Sequence, residues 1–158
     1  MMGRIAVIFL LAGMLIAAAG MYYLQVYYYY REVPADEAPS VLAIVTPQGS
    51  VDLPVSDYTA IHSISTPIGN RACFKTDPAL AAQGEPYANA TPIAAPGWFD
   101  CFDYGELTTD IEAGTAKAYL VQKNVAPKID SVLAVYPDGR AVEWRQQNED
   151  AEEKRTID

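Results

Sequence analysis

Residues 5–26 read IAVIFLLAGMLIAAAGMYYLQV, with Gln25 as the one strongly polar side chain. Tyr27, Tyr28, Tyr29 and Tyr30 follow at once, then Arg31. At ~1.5 Å per residue, about 22 helical residues reach roughly 33 Å, enough to cross a hydrocarbon core of ~30 Å. The stretch divides the chain: residues 1–30 read as a membrane anchor with a tyrosine belt, and everything beyond is polar enough for water.

The rest of the 158-residue chain has room for one modest domain. Arg4 is the only basic residue before Arg31, and all twenty acidic residues come later, so ten basic residues face twenty acidic ones there. Such a domain repels nucleic acid, and no nucleic-acid partner is expected. It would attract a basic one.

A charged start, an apolar run and Ala17-Ala18-Ala19 before Gly20 also describe a cleaved signal peptide. The apolar run continues to Val26, beyond the usual 7–15 residues of such a core, and cleavage would expose GMYYLQVYYYY. An uncleaved anchor is therefore expected. Lys and Arg counts at its two ends nearly tie, and a translocated domain is the simpler topology. The expectation is a bacterial inner-membrane protein, single-pass, with a cytoplasmic N-terminus and a periplasmic domain. Gly13, Ala17 and Gly20 fall on one helical face, where small residues let a neighbouring helix come close. Tyr22, Tyr23, Tyr27, Tyr28, Tyr29 and Tyr30 suit the membrane interface. Six exceed what anchoring needs, which leaves some for packing against a partner.

Residues 31–40 (REVPADEAPS) read as a linker. The domain, 41–147, begins with VLAIVT at 41–46 as a strand. VDLPV at 51–55 reads as an edge strand, residues 57–66 are ambiguous between helix and strand, and RACFK at 71–75 is a strand. Residues 76–97, with four prolines, form a long surface loop of the functional or mobile kind, and Trp98 to Phe102 return it to the core. Asn89-Ala90-Thr91 matches a glycosylation sequon by chance. Residues 107–113 suit a short helix capped by Thr108 or Thr109 and stopped by Gly114. Residues 117–125 are a strand. SVLAVYPDGRAVEWRQ at 131–146 is a hairpin, with Pro137 setting a turn and Gly139 supplying positive φ. Residues 148–158 are a charged, solvated tail. The fold class is α+β: one transmembrane helix, then a small domain with a mostly antiparallel sheet and a C-terminal hairpin.

Cys73 and Cys101 are the two thiols and do not form a C-x-x-C pair. In an oxidising compartment they read as a structural disulfide around the loop. The competing reading, two unrelated buried cysteines in a cytoplasmic domain, would reverse the topology. His62 is the sole histidine, so a zinc site would need several carboxylates, and no metal or cofactor is expected. Asp57, His62 and Ser63 include triad residue types without triad geometry. Asp100 and Asp103 could pair as acid and base, although such pairs are common in loops. No catalytic residue is expected.

The anchor with its tyrosine cluster, together with CFDYGELTTDIEAGTAKAYLVQKN from Cys101 and VLAVYPDGRAVEWRQ to Gln146, resembles a family of short, single-span bacterial envelope proteins built on a domain of unknown function. That resemblance implies an inner-membrane protein without assigned activity, and placement as a small accessory subunit of a respiratory complex such as cytochrome oxidase. The leading expectation is a non-catalytic accessory or assembly subunit docked on a larger integral membrane complex. The alternatives are an acidic docking surface for a basic soluble electron carrier such as cytochrome c, or a membrane-anchored periplasmic enzyme using the long loop.

Overall fold

The computed structural model of the protein describes residues 2–151. Helix α1 spans Met2–Tyr23 and runs into a wider π turn over Leu24–Tyr28, where the Tyr29 amide reaches back five residues to the Leu24 carbonyl. Gly3–Tyr28 is 26 residues long, is apolar enough to cross a membrane, and has no buried residue. Exposed Ile, Leu and Phe side chains on a helix suit lipid rather than water.

Eight strands follow among the described residues: β1 (Tyr30–Glu32), β2 (Val41–Thr46), β3 (Gly49–Pro54), β4 (Ser56–Ser63), β5 (Arg71–Lys75), β6 (Lys117–Ala126), β7 (Ile129–Val135) and β8 (Arg140–Gln147). Six of them form one sheet in the order β1-β4-β5-β8-β7-β6, every pair antiparallel. Strands β2 and β3 form a separate hairpin. Helix α2 (Pro78–Ala81) and helix α3 (Tyr104–Ala113) complete the α+β fold.

Alternation along the strands sorts the core into two layers. On one face Ala60, Ala72, Phe74, Leu133 and Ala141 meet Ile44 and Leu53 of the β2–β3 hairpin. On the other, Ile61, Val132, Ala134 and the fully buried Trp144 meet Phe99, Phe102 and Leu107. The hairpin expected at 131–146 is present, and Gly139 in its turn has φ +90°. A Cβ there would stand 2.9 Å from the Thr76 carbonyl, so glycine is required for space as well as for φ. Residues 57–66, ambiguous in sequence, are mostly strand β4, with a bulge where Asp57 takes φ +52°.

Three local expectations change. Residues 31–40, read as a linker, begin inside the sheet: Tyr30, Arg31 and Glu32 pair with Ser63, His62 and Ile61. A three-residue strand is too short to show periodicity. Helix α3 starts at Tyr104 rather than near Leu107, because Asp103 caps it through the amides of Gly105 and Glu106. Thr108 and Thr109, the expected caps, instead bond back to the carbonyls of Tyr104 and Gly105. Gly114 does end the helix, with φ +77°. Asn148, assigned to the solvated tail, is buried and donates to Asp130 and Asn124. The tail from residue 152 onward lies outside the described residues.

Candidate functional site

Residues 85–103 are a strap laid across the Trp144 face of the sheet, and they are fastened along their length. Tyr87 donates its amide to the Ala118 carbonyl and its hydroxyl to Asp130. The Thr91 amide bonds the Gln146 side-chain carbonyl, whose amide group donates to the Asn89 carbonyl. Arg71, 3 % exposed, donates from Nε to the Ile93 carbonyl at 2.9 Å and from Nη2 to that of Ala94 at 3.3 Å. Its Nη1 serves the carbonyls of Ile68 and Asn70, and its charge lies over the Phe102 ring, 5.4 Å from the centroid. Among the described residues no carboxylate pairs with it. Burial pulls the guanidinium down to about 10, partly offset by Tyr30, so it stays cationic at neutral pH.

The strap reaches the end of the long helix at Trp98. Trp98 donates its indole N–H to the Val26 carbonyl at 2.7 Å. It stacks on Tyr27 and meets Tyr30 edge-on, both at 6.4 Å between ring centres. Tyr23 stacks on Tyr27 in turn, at 6.0 Å. Tyr27 and Tyr30 thus pack on Trp98, and Tyr23 packs on Tyr27. Tyr22 and Tyr28 stay exposed, and Tyr29 is half-buried. Arg31 folds back onto the Tyr28 and Tyr30 carbonyls. Together with β1, these contacts form a neck that fixes the domain to the helix end.

Strand pairing defines a helix-proximal end of the sheet. Arg31 pairs with His62, and the neighbouring row joins Ile61, Arg71 and Trp144. On the β2–β3 side of this end, beyond the hairpin's cover, lies a recess of about 140 Å³ lined in part by Tyr58, His62, Asn70, Glu143 and Arg145. Glu143 sits 2.5 Å from the Ser131 hydroxyl, and loss of water raises its carboxyl pKa against the opposing effects of Ser131 and Arg145. The Tyr58 phenol is raised too, by burial and then by Glu143. Arg145 donates to the Pro67 carbonyl, and Ile64, 52 % exposed, is tied through its amide to the Tyr29 carbonyl.

A larger polar cavity of about 510 Å³ lies between the strap and the β6–β8 edge. Buried Asp130, Gln146 and Asn148 line it, all satisfied within the network already described. The far end of the sheet is acidic. A groove of about 310 Å³ there holds Asp100, Asp103, Glu106 and Arg140 beside the disulfide, while Asp57 pairs with Lys75 and Asp138 with Arg140.

Cys73 and Cys101 are bonded, closing a separation of 28 residues. The triad-type residues are not brought together: Asp57 faces Lys75 at 2.9 Å, whereas Ser63 is 3.0 Å from the Ser65 hydroxyl. Asp103 is occupied as a helix cap and Asp100 is exposed at the disulfide. Gly13 and Gly20 have nothing within 4 Å of where a Cβ would stand, and Ala17 is exposed. Sequence reasoning gave no site role to Arg71, Tyr58, Glu143 and Arg145, and gave Trp98 only the return of the loop to the core. Glu143 and Arg145 carried a signal, as polar residues alternating with apolar ones along the second strand of the hairpin.

The architecture defines a class: a strapped antiparallel sheet fastened to an N-terminal helix long and apolar enough to span a membrane. The chain belongs to a family of unknown function, DUF6446, whose profile matches residues 41–155. No curated protein and no solved structure matches it.

Proposed function

We propose that this protein is a non-catalytic accessory or assembly subunit of a larger complex in the bacterial inner membrane, with its N-terminus cytoplasmic and its domain periplasmic. The observation that carries the reading is the uncovered helix joined to the domain without slack. Tyr28 ends the helical segment, Tyr30 is already in the sheet, and Trp98 clasps Val26. A freely tethered catalytic domain has no need of such a neck, whereas a subunit that presents its domain at a set angle does. The disulfide supports an oxidising compartment. Gly13, Ala17 and Gly20 form the helix face that would meet the partner. A respiratory complex such as a cytochrome oxidase is the partner we favour. Changing Gly13→Leu and Gly20→Leu together should release the protein from its complex in a mild-detergent pull-down; unchanged co-purification overturns the assignment.

A second reading is supported by the separation of charge. Acids crowd the end of the domain away from the helix, where a basic soluble carrier such as a cytochrome c would dock. Such binding weakens steeply with salt. Binding that ignores ionic strength would remove this reading.

A further inference from the structure

Arg31, His62 and Arg145 lie in one row across the sheet, on the face away from the strap. Arg31 is paired with His62. Asn70 precedes β5 at the level of Arg145, since Arg71 pairs with Trp144. Glu143 and Tyr58 stand one and two steps further from the helix on the same face, because alternate residues of a strand share a face. His62, Asn70, Arg145, Glu143 and Tyr58 line an open recess with the volume of several waters, while the Arg31 side chain turns back to the Tyr28 and Tyr30 carbonyls. Polar groups line it beside Val33, Ala60 and Ala72, where the rest of that face is packed under the β2–β3 hairpin.

The position of this row matters as much as its chemistry. Arg31 is three residues beyond the last helical residue, so at ~3.3 Å per residue the row stands within about 10 Å of the helix end. Polar headgroups extend about 5–7 Å beyond the hydrocarbon on each side of a bilayer, and helix tilt brings the row closer. Exposed Ile64, hydrogen-bonded to Tyr29, lies on the bilayer side of the recess. The acidic residues of this end do not oppose an anion in the row: Glu32 faces the strap side, and Glu149 is paired with Lys123. Glu143 is the exception, a carboxylate in the recess itself with one hydroxyl as hydrogen-bond partner.

We infer that this recess binds the headgroup of a phospholipid from the adjoining leaflet, one carrying both a phosphate and a primary ammonium, as phosphatidylethanolamine does. Arg145, with His62 and Asn70, takes the phosphate oxygens, and Glu143 takes the ammonium. Ile64 lies against the glycerol and upper acyl region. The inference rests on the reading of α1 as a membrane span. It deepens the proposed function, because a bound lipid would hold the domain flat beside its partner.

The test uses the full chain, reconstituted with equal parts phosphatidylethanolamine, phosphatidylglycerol and phosphatidylcholine. Lipid retained after mild delipidation is read by native mass spectrometry, and embedding is read by alkaline extraction. Phosphatidylethanolamine should be retained above the other two. Arg145→Gln should lower total retention about fivefold, the effect of one basic residue at a lipid surface. Glu143→Gln, which keeps the shape and the Ser131 contact, should abolish the preference for phosphatidylethanolamine without lowering retention of phosphatidylglycerol. A chain that resists alkali but retains the three lipids equally, or whose variants behave like the parent, overturns the recess assignment alone. A chain that alkali extracts overturns the span and the recess together.

Discussion

The indole N–H of Trp98 bonds the Val26 carbonyl at 2.7 Å, joining positions 72 residues apart in sequence. The acceptor belongs to the π turn, where the backbone is wider than an α-helix and carbonyls tilt outward. One side chain thus satisfies a helix-end carbonyl and carries the strap to the long apolar helix.

Trp98→Phe should keep the stacking on Tyr27 and lose the hydrogen bond, costing about 1 kcal/mol locally. Hydrogen exchange at the Tyr29 and Tyr30 amides should quicken, while the amides of β5 and β8 stay protected. Equal acceleration throughout would mean that Trp98 serves the core rather than the neck.

Arg71 holds strap and sheet through four carbonyls. Its replacement by Met should cost about 2–4 kcal/mol, since hydrogen bonds to a charged group are worth more than neutral ones. Lysine should recover only part of this, because an ammonium cannot span carbonyls on opposite sides of a planar fork. Urea unfolding of the three proteins gives the comparison; a fully rescued Arg71→Lys would contradict the fork argument.

The disulfide ties Asp100 and the strap end to β5. Replacing both Cys73 and Cys101 by Ala should lower stability by about 3–4 kcal/mol in the chain-entropy model. Guanidinium midpoints of the variant and of the reduced parent should agree. A midpoint unchanged on reduction would show that Arg71 and Phe102 hold the strap unaided.

Glu143 makes stability depend on pH in the less common direction. Its carboxyl pKa is raised in the folded protein, so the folded state holds the proton more tightly than the unfolded chain. Stability from this group is present below the unfolded carboxyl pKa of about 4.3 and is lost as pH rises through the folded value. Glu143→Gln should therefore be more stable than the parent at neutral pH and equal to it in acid. Thermal melts at pH 4 and pH 7 decide the sign.

The elements that could be read from sequence were those whose signal is local. The apolar run to Val26, the Pro137-Asp138-Gly139 turn and the alternation in β7 and β8 each need only a few neighbours to be recognised. The strap could not be read this way. Its shape is set by Arg71, Gln146 and Trp98, whose partners lie 22, 55 and 72 residues away, and a proline-rich stretch looks the same pinned or loose. The helix cap was misplaced for a related reason: Asp103 and both threonines are all capable caps, and packing of Leu107 against Phe102 and Trp144 in one cluster favours the earlier start. The recess was hidden because Tyr58, His62, Glu143 and Arg145 come from two strands that β5 alone separates.

The neck has a consequence for direction. Successive residues of an α-helix turn by about 100° around its axis. With no slack between Tyr28 and Tyr30, that angle passes undiminished to the sheet. On the proposed reading, the compass bearing of the acidic end around the bilayer normal would be set by which side of α1 faces the partner. Inserting one alanine after Gly20 would leave every domain contact intact and swing the whole sheet about a quarter-turn past its mark.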